Sequence, residues 1–504
     1  MADFDNRPSI EHIKQEILAY VADIIEWILD CTSINFFEFE KQTVPKVSDL
    51  GKLFVALFLC VREDNRRLSN NDHHVGYKYQ GCKDRLLGTV FGKVRYWRSY
   101  LYCAGCGYYP LDLELGLPLD GFSMLLRSYA AKIATKMSYA QSVGVLTLFL
   151  QWSPCQRTVE EMVLGLGKYT QQWFEAAPPP HNDGEVLVIQ IDSKATPTAT
   201  KEELKKRRGK RSYNSHPQSQ RHRGKKARQR WRPKKRKKKG DKSKNGKMST
   251  IVVMYTLRRS EDGSLQGPIN KKVYASYAPK RHAVAIARRE ADKRGFTQDS
   301  EKTIQIVTDG DKDLDCYIEE FFPEAKHTID IFHVIEYLWE AGGCLYKEGS
   351  DELEKWVETQ KDALYNGRSS KIVKELDKRL KLLHTGPGSK SRRDRLKKVR
   401  DYISKRIEKM DYKSLRKQDL EISSGAVEGA VNYVIAKRFD SGGMRWIKER
   451  SEALLQLRCI EVNNDWDDLI SYIHDKTSRQ IQKENSNIFL KAEQAIPLPT
   501  YGVN

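Results

Sequence analysis

Three acidic residues of this chain stand where carboxylates could work together on metal ions. Asp192 ends the apolar run Val186-Leu187-Val188-Ile189-Gln190-Ile191. Asp309 ends a second run, Thr303-Ile304-Gln305-Ile306-Val307-Thr308. Glu428 lies in Ser423-Ser424-Gly425-Ala426-Val427-Glu428-Gly429, a good helix entry that puts it in the first turns. A carboxylate at the end of a buried strand is well placed to hold a metal. Oxygen donors alone suit Mg2+ or Mn2+. Three carboxylates around two such ions, roughly 4 Å apart, can activate water or a DNA 3′-hydroxyl and stabilise the leaving oxygen of a phosphodiester. Gly310 after Asp309 allows a phosphate to come close. For any one acid alone, the alternative is an ordinary polar residue satisfied at an element end.

Other residues could support or rival that chemistry. His333, in Asp330-Ile331-Phe332-His333, follows a strand-like stretch and could orient phosphate or water; a histidine that only caps the strand end is the alternative. The series Asp309, Asp311, Asp313, Asp315 echoes a calcium loop, but Leu314 stands where the loop needs glycine, and a strand precedes it. The calcium reading is therefore rejected, and Asp311, Asp313 and Asp315 are expected to form a solvated helix start. Cys103 and Cys106, in Cys103-Ala104-Gly105-Cys106-Gly107, have the knuckle spacing that grips Zn2+. Cys82, His73 and His74 could complete four ligands, against a metal-free hairpin turn with two thiols.

The elements that must position the acids follow from periodicity. Strands are expected at 249–257, 271–277, 303–309 and 327–332 after the one ending at Asp192, with helices at 282–294, 314–322 and 334–340. Three strands followed by alternating helices and strands give a mixed sheet with helices on its faces. Such an order, with an acid ending the first and fourth strands, resembles the ribonuclease-H-like fold, in which those two strands are neighbours. The expected organisation is a helical region at 1–77, a small β region with the paired cysteines at 78–120, helices at 121–178, the first part of an α/β domain at 179–344, a lysine-rich helical insertion at 345–420, closing helices of that domain at 421–475 and a tail at 476–504.

Within 121–178, helix, short break at Trp152-Ser153-Pro154-Cys155, then helix is the outline of a helix-turn-helix. It would place Gln156, Arg157 and Thr158 at a recognition-helix N-terminus; a plain helical hairpin is the alternative. Residues 201–247 carry 23 Lys or Arg and three acids, nearly the whole net charge of +21. That block, with Arg230, Trp231, Arg232, Lys234, Lys235 and Arg236, has the composition of a nucleic-acid contact. A solubilising or localisation segment is the bland reading. Arg438, Arg445 and Trp446 are further candidate DNA contacts.

The 504 residues exceed one core, so several domains are expected. No apolar run approaches membrane-span length, and Met1-Ala2-Asp3-Phe4-Asp5 lacks a signal-peptide start. Nine scattered cysteines suit thiols or metal ligands in a reducing compartment. A cytoplasmic location is expected.

Taken in order, several motifs resemble the transposases of bacterial insertion sequences with an Asp-Asp-Glu core, most closely the ISKra group. They are Cys103-Ala104-Gly105-Cys106-Gly107 with Pro110-Leu111-Asp112 and Leu115-Gly116-Leu117; Gln190-Ile191-Asp192; Val307-Thr308-Asp309-Gly310; Asp330-Ile331-Phe332-His333; Lys409-Met410-Asp411-Tyr412; and Ser424-Gly425-Ala426-Val427-Glu428 with Gly443-Met444-Arg445-Trp446. The resemblance implies binding of terminal inverted repeats and target DNA, metal-dependent strand cleavage and transfer, and Asp192, Asp309 and Glu428 as ligands of Mg2+ or Mn2+. It further implies a homo-oligomer on DNA, associated with the bacterial nucleoid. The long basic block departs from the family pattern. Two other readings remain: a transposase-derived DNA-binding protein without activity, and an RNA-binding or RNA-processing protein.

Overall fold

In the computed structural model, residues 7–68, 78–103, 106–118, 120–202, 204, 246–384, 386, 389–441 and 444–483 are described. The described residues divide into two units, one made of those up to Ala176 and those from Glu449 to Lys483, the other of those within Ala177–Lys448.

The first unit begins with α1 (Ile10–Asp30), capped by Ser9, and α2 (Phe36–Leu68). An antiparallel sheet follows, β1 (Lys78–Thr89), β2 (Gly92–Cys103) and β3 (Cys106–Tyr108). A buried acid beside it is Asp112, on the short α3 (Pro110–Glu114), which accepts from Tyr96 at 2.5 Å and Arg85 at 2.8 Å. Then come α4 (Met124–Lys136), α5 (Tyr139–Leu150), α6 (Gln156–Gly167) and α7 (Thr170–Ala176). Ser123 and Ser138 cap α4 and α5, the latter with a reciprocal Ser138–Gln141 box.

The second unit is built on a five-stranded mixed sheet. Its strands are β4 (Val186–Pro197), β5 (Gly246–Arg259), β6 (Leu265–Ser276), β7 (Thr303–Thr308) and β8 (Lys326–Ile329), in the spatial order β6-β5-β4-β7-β8. β4, β7 and β8 are parallel; β5 runs against β4, and β6 runs against β5 and so in the direction of β4. Val186–Ile191 and Ile251–Tyr255 are buried throughout, which is why these strands read as continuous apolar runs rather than alternating ones. The crossovers are α8 (Lys280–Lys293) and α9 (Lys312–Phe321), after which α10 (Ile331–Leu345) starts directly from β8. Neighbouring first and fourth strands, as expected, are consistent with a ribonuclease-H-like core.

The insertion is helical: α11 (Asp351–Tyr365) and α13 (Lys390–Ser404) pack with α10, α12 (Ser369–Leu382) packs with α11 and α13, and α14 (Tyr412–Lys417) follows. α15 (Gly425–Ala430) then runs into a π-helical segment, Val431–Asp440. Such segments often occur at functional sites.

Three sequence expectations need correction. β8 stops at Ile329 rather than reaching Phe332, because the Asp330 carboxylate caps α10 by accepting from the Phe332 N–H at 2.8 Å. His333 therefore sits in the first turn of a helix. Residues 449–475 belong with the first unit, not with the closing helices of the α/β domain. In that unit α16 (Lys448–Val462) is buried on every side over Ser451–Ile460, and the indole of Trp466, which opens α17 (Trp466–Lys483), donates to Ser128 at 2.9 Å. The single helix expected after the break at Trp152-Ser153-Pro154-Cys155 is divided, α6 ending at Gly167 and α7 beginning at Thr170.

Candidate active site

The sheet register sets the site. The last paired rung across the three parallel strands is Ile191–Thr308–Ile329. The next residue on each strand is an acid: Asp192, Asp309 and Asp330. Parallel strands in register present equivalent positions to one face, so the three carboxylates form a row at the C-terminal edge, where open α/β sheets bind ligands. Asp330 is fully buried at 0% exposure; Asp192 and Asp309 are partly exposed.

Glu428 comes to this row from α15. Ligand atoms of Asp330, His333 and Glu428 all lie within 4.8 Å of one another, the only such group among the described residues. The carboxylate of Asp192 is in turn held above its ordinary pKa, first by burial and further by the charges of Asp309 and Asp330; the Ser193 N–H and His333 oppose this. His333 Nδ1 is 3.5 Å from Asp330 Oδ2, and that partnership, with the charge of Asp309 beyond it, raises the imidazole pKa to about 9. At neutral pH it is an imidazolium facing carboxylates. Burial alone would raise Asp330, but hydrogen bonds from His333, Ser424 and the Phe332 N–H outweigh it and hold the carboxyl below the usual range. Asp192, Asp309, Asp330, Glu428 and His333 thus border one electronegative centre.

Two buried glutamines fix the segment that carries Glu428. Gln190 (1% exposed) and Gln305 (0%) lie on the same sheet face as the acid row, two and four residues before Asp192 and Asp309. The Gln190 side chain accepts from the Val427 N–H at 2.9 Å and donates to the Ser423 carbonyl at 3.2 Å. Gln305 accepts from the Glu421 N–H at 3.0 Å and donates to the Glu421 carbonyl at 2.6 Å. Tyr255 adds a bond to the Glu421 carboxylate at 3.0 Å, and the Ile331 N–H donates to the Ile422 carbonyl at 3.0 Å. The strands that bear the first two acids therefore also grip the backbone that bears Glu428.

The insertion holds the Asp309 turn. Gly310 has φ +77°, a left-handed conformation natural to glycine. The Tyr402 hydroxyl, from α13, donates to the Asp309 carbonyl at 2.7 Å, and Arg406 donates to the Gly310 carbonyl at 2.6 Å. Arg406 and Lys409 also pair with Asp315, at 3.2 and 3.1 Å. The expected solvated start of α9 is thus only partly solvated. Asp311 caps the helix and pairs with Lys280 at 2.7 Å, while Asp315 anchors the insertion.

The structure treats the remaining candidates differently. Gln156 and Arg157 are exposed at the start of α6, with Arg157 bound to Glu161 at 3.0 Å; Thr158 is half-buried and meets Cys155 at 3.3 Å. Cys103 and Cys106 are register partners of β2 and β3. His73 and His74, and Arg230, Trp231, Arg232, Lys234, Lys235 and Arg236, lie outside the described residues. Arg438 and Trp446, expected as DNA contacts, are buried. The Arg438 guanidinium lies 4.8 Å over the Trp446 ring, and the Trp446 backbone extends the sheet by accepting from the Ala199 N–H at 2.8 Å. Arg445 is exposed.

Asp330 and the two glutamines escaped the sequence reading. Asp330 had a signal: Ile329-Asp330 repeats the pattern of Ile191-Asp192, but the helix that follows makes an aspartate read as a cap, and here it does both. The glutamines had none, because the Glu421–Val427 backbone they hold is more than a hundred residues away.

The donors present are hard oxygen atoms with one histidine, a set that fits Mg2+ or Mn2+ far better than a soft metal. Residues 270–457 match a family model described as transposase, of the DDE type named for ISL3. The match covers Asp309, Asp330, His333 and Glu428 and begins after Asp192. No curated protein matches the chain. The match supports an insertion-sequence transposase of the DDE class and, with it, transposition and DNA recombination. No helix among the described residues is long and apolar enough to cross a membrane.

Proposed function

We propose that this chain is a DNA transposase that binds the ends of its element and carries out metal-dependent strand cleavage and strand transfer. Asp192, Asp309 and Glu428 would hold Mg2+ or Mn2+, with Asp330 and His333 beside them. The observation that carries the reading is the row of acids one residue past a common rung of three parallel strands, with Glu428 brought to it by backbone clamps. Bound there, the metal would activate the attacking oxygen and stabilise the departing one. In the transfer step a DNA 3′-hydroxyl attacks a target phosphorus. One P–O bond forms and one breaks, and the released 3′-oxygen takes up a proton, so the number of phosphodiesters is unchanged and no outside energy is needed.

The chain's own residues have separable tasks. His333, as an imidazolium, neutralises part of the carboxylate charge and can hydrogen-bond a phosphate oxygen. Gly310 leaves room for Tyr402 and Arg406 to hold the turn that carries Asp309. Gln156, Arg157 and Thr158 on α6 would read terminal repeats, and the block at 201–247 would follow the backbone, the protein acting as a homo-oligomer on DNA. Assignment to the ISKra group rather than another insertion-sequence group rests on the sequence motifs alone, and so does zinc at Cys103 and Cys106.

The test is an assay with purified protein, Mg2+ and labelled DNA bearing the gene's own flanks. Strand transfer that disappears in Asp192→Ala and with a chelator supports the proposal. Binding without cleavage, identical in that variant, would leave an inactive DNA-binding relative, and a preference for RNA duplexes at high salt would favour an RNA protein.

A further inference from the structure

The bundle formed by α10 and the helical insertion separates its charges. α10 and α11 carry seven acids and two lysines, whereas α12 and α13 carry twelve Lys or Arg and four acids. α13 alone has seven cations against two aspartates, the most cationic of the described helices. Its inward side is apolar, with Leu396, Val399 and Ile403 at 0% exposure in the bundle core. The outward side bears a shallow groove of about 650 Å³ lined by Lys390, Ser391, Asp394, Arg395 and Lys398.

That groove is joined to the acid row. Lys398 Nζ lies 5.1 Å over the Tyr337 ring, Tyr337 packs on Tyr402 with centroids 4.2 Å apart, and the Tyr402 hydroxyl bonds the Asp309 carbonyl at 2.7 Å. Lys390 and Lys398 are separated by about 12 Å along the helix, roughly three or four base-pair rises of a DNA strand. A cationic face of that length, ending at a centre that takes phosphodiesters, matches a nucleic-acid backbone in charge and dimension.

We propose that the Lys390–Lys398 face of α13 is a second phosphate-binding surface for duplex DNA, distinct from the α6 helix and the basic block, which leads a strand to the acid row. The proposal rests on the DNA reading above. It makes the insertion part of the substrate surface as well as the clamp on the Asp309 turn. The contacts are to phosphates, so they add affinity without base preference.

The full-length triple variant Lys390→Ala, Arg395→Ala, Lys398→Ala tests it. Alanine suits an exposed helix position, so an unchanged thermal midpoint is expected and checks the fold. Binding to a random-sequence DNA duplex is measured against salt concentration. The slope of log affinity against log salt is expected to fall by about 2 to 3 relative to the unaltered chain, with at least a tenfold loss of affinity at low salt. An unchanged slope would overturn the proposal. So would a change seen only with an RNA duplex. The strand-transfer assay fails or succeeds independently. An unaltered chain that transfers strands while the triple variant keeps its slope removes only the α13 surface. A lowered slope in a chain that never transfers strands keeps the surface and removes the transposase.

Discussion

Asp192 and Asp309 are next-rung partners: each is the residue immediately beyond the paired Ile191–Thr308 step of two parallel strands. Their proximity is thus a property of sheet register rather than of flexible loops. A slip of one residue between β4 and β7 would turn one carboxylate to the opposite face. Every apolar residue before them works to prevent that slip.

The glutamine clamps should couple metal binding to the sheet. Gln190→Leu removes the acceptor of the buried Val427 N–H and the donor to the Ser423 carbonyl. We expect a loss of stability of about 2–4 kcal/mol, measured by urea unfolding. Gln190→Glu keeps the acceptor but loses the amide donor, and should cost less. In both variants Mn2+ affinity should drop more than in Tyr255→Phe, which keeps both glutamines. Equal Mn2+ affinity in all three would mean that the clamp is structural only.

At Gly310 shape and strain act together. A Cβ there would lie 2.8 Å from the Tyr402 hydroxyl oxygen and 2.9 Å from Arg406 Nε, besides the left-handed φ. Gly310→Ala should cost about 1–2 kcal/mol and displace the Asp309 turn, so strand cleavage should suffer more than stability. Gly263→Ala is the control, since Gly263 has φ +84° with nothing within 4 Å. It should share the strain and leave cleavage intact. Equal cleavage by the two variants would contradict the close fit at Asp309.

His327 gives a pH dependence away from the acid row. Burial, aided by the Lys409 cation, lowers its pKa to about 4 from an ordinary 6.5. The folded chain therefore keeps the ring neutral where the unfolded chain protonates it. Stability is fully present above pH 6.5 and lost as pH falls toward 4, by up to about 3 kcal/mol from this one group. In His327→Gln the difference in stability between pH 7 and pH 4.5 should shrink accordingly, read by chemical unfolding at both pH values. An equally steep profile in the variant would show that the ring is protonated in the fold.

Much of the site was legible because it depends on local pattern. An apolar run closed by one acid marks a strand end, and that pattern found Asp192 and Asp309. The Ser-Gly entry before Glu428 marked a helix start. What the pattern could not carry was decided at long range. Gln190 and Gln305 look like interruptions of apolar strands until Ser423, Val427 and Glu421 are seen across from them. Arg438 resembles a surface cation, yet it is buried against Trp446. Asp330 was hidden by its second task, since a helix cap and a site carboxylate have the same letter.

Fe2+ substitution reads directly where the metal binds. Fe2+ in place of Mg2+, with peroxide and ascorbate, cleaves protein backbone near the bound ion. Cuts are expected close to Asp192, Asp309, Asp330 and Glu428, competed by Mg2+ and abolished in Asp192→Asn. Cuts confined to other parts of the chain, or a pattern unchanged in Asp192→Asn, would contradict that placement.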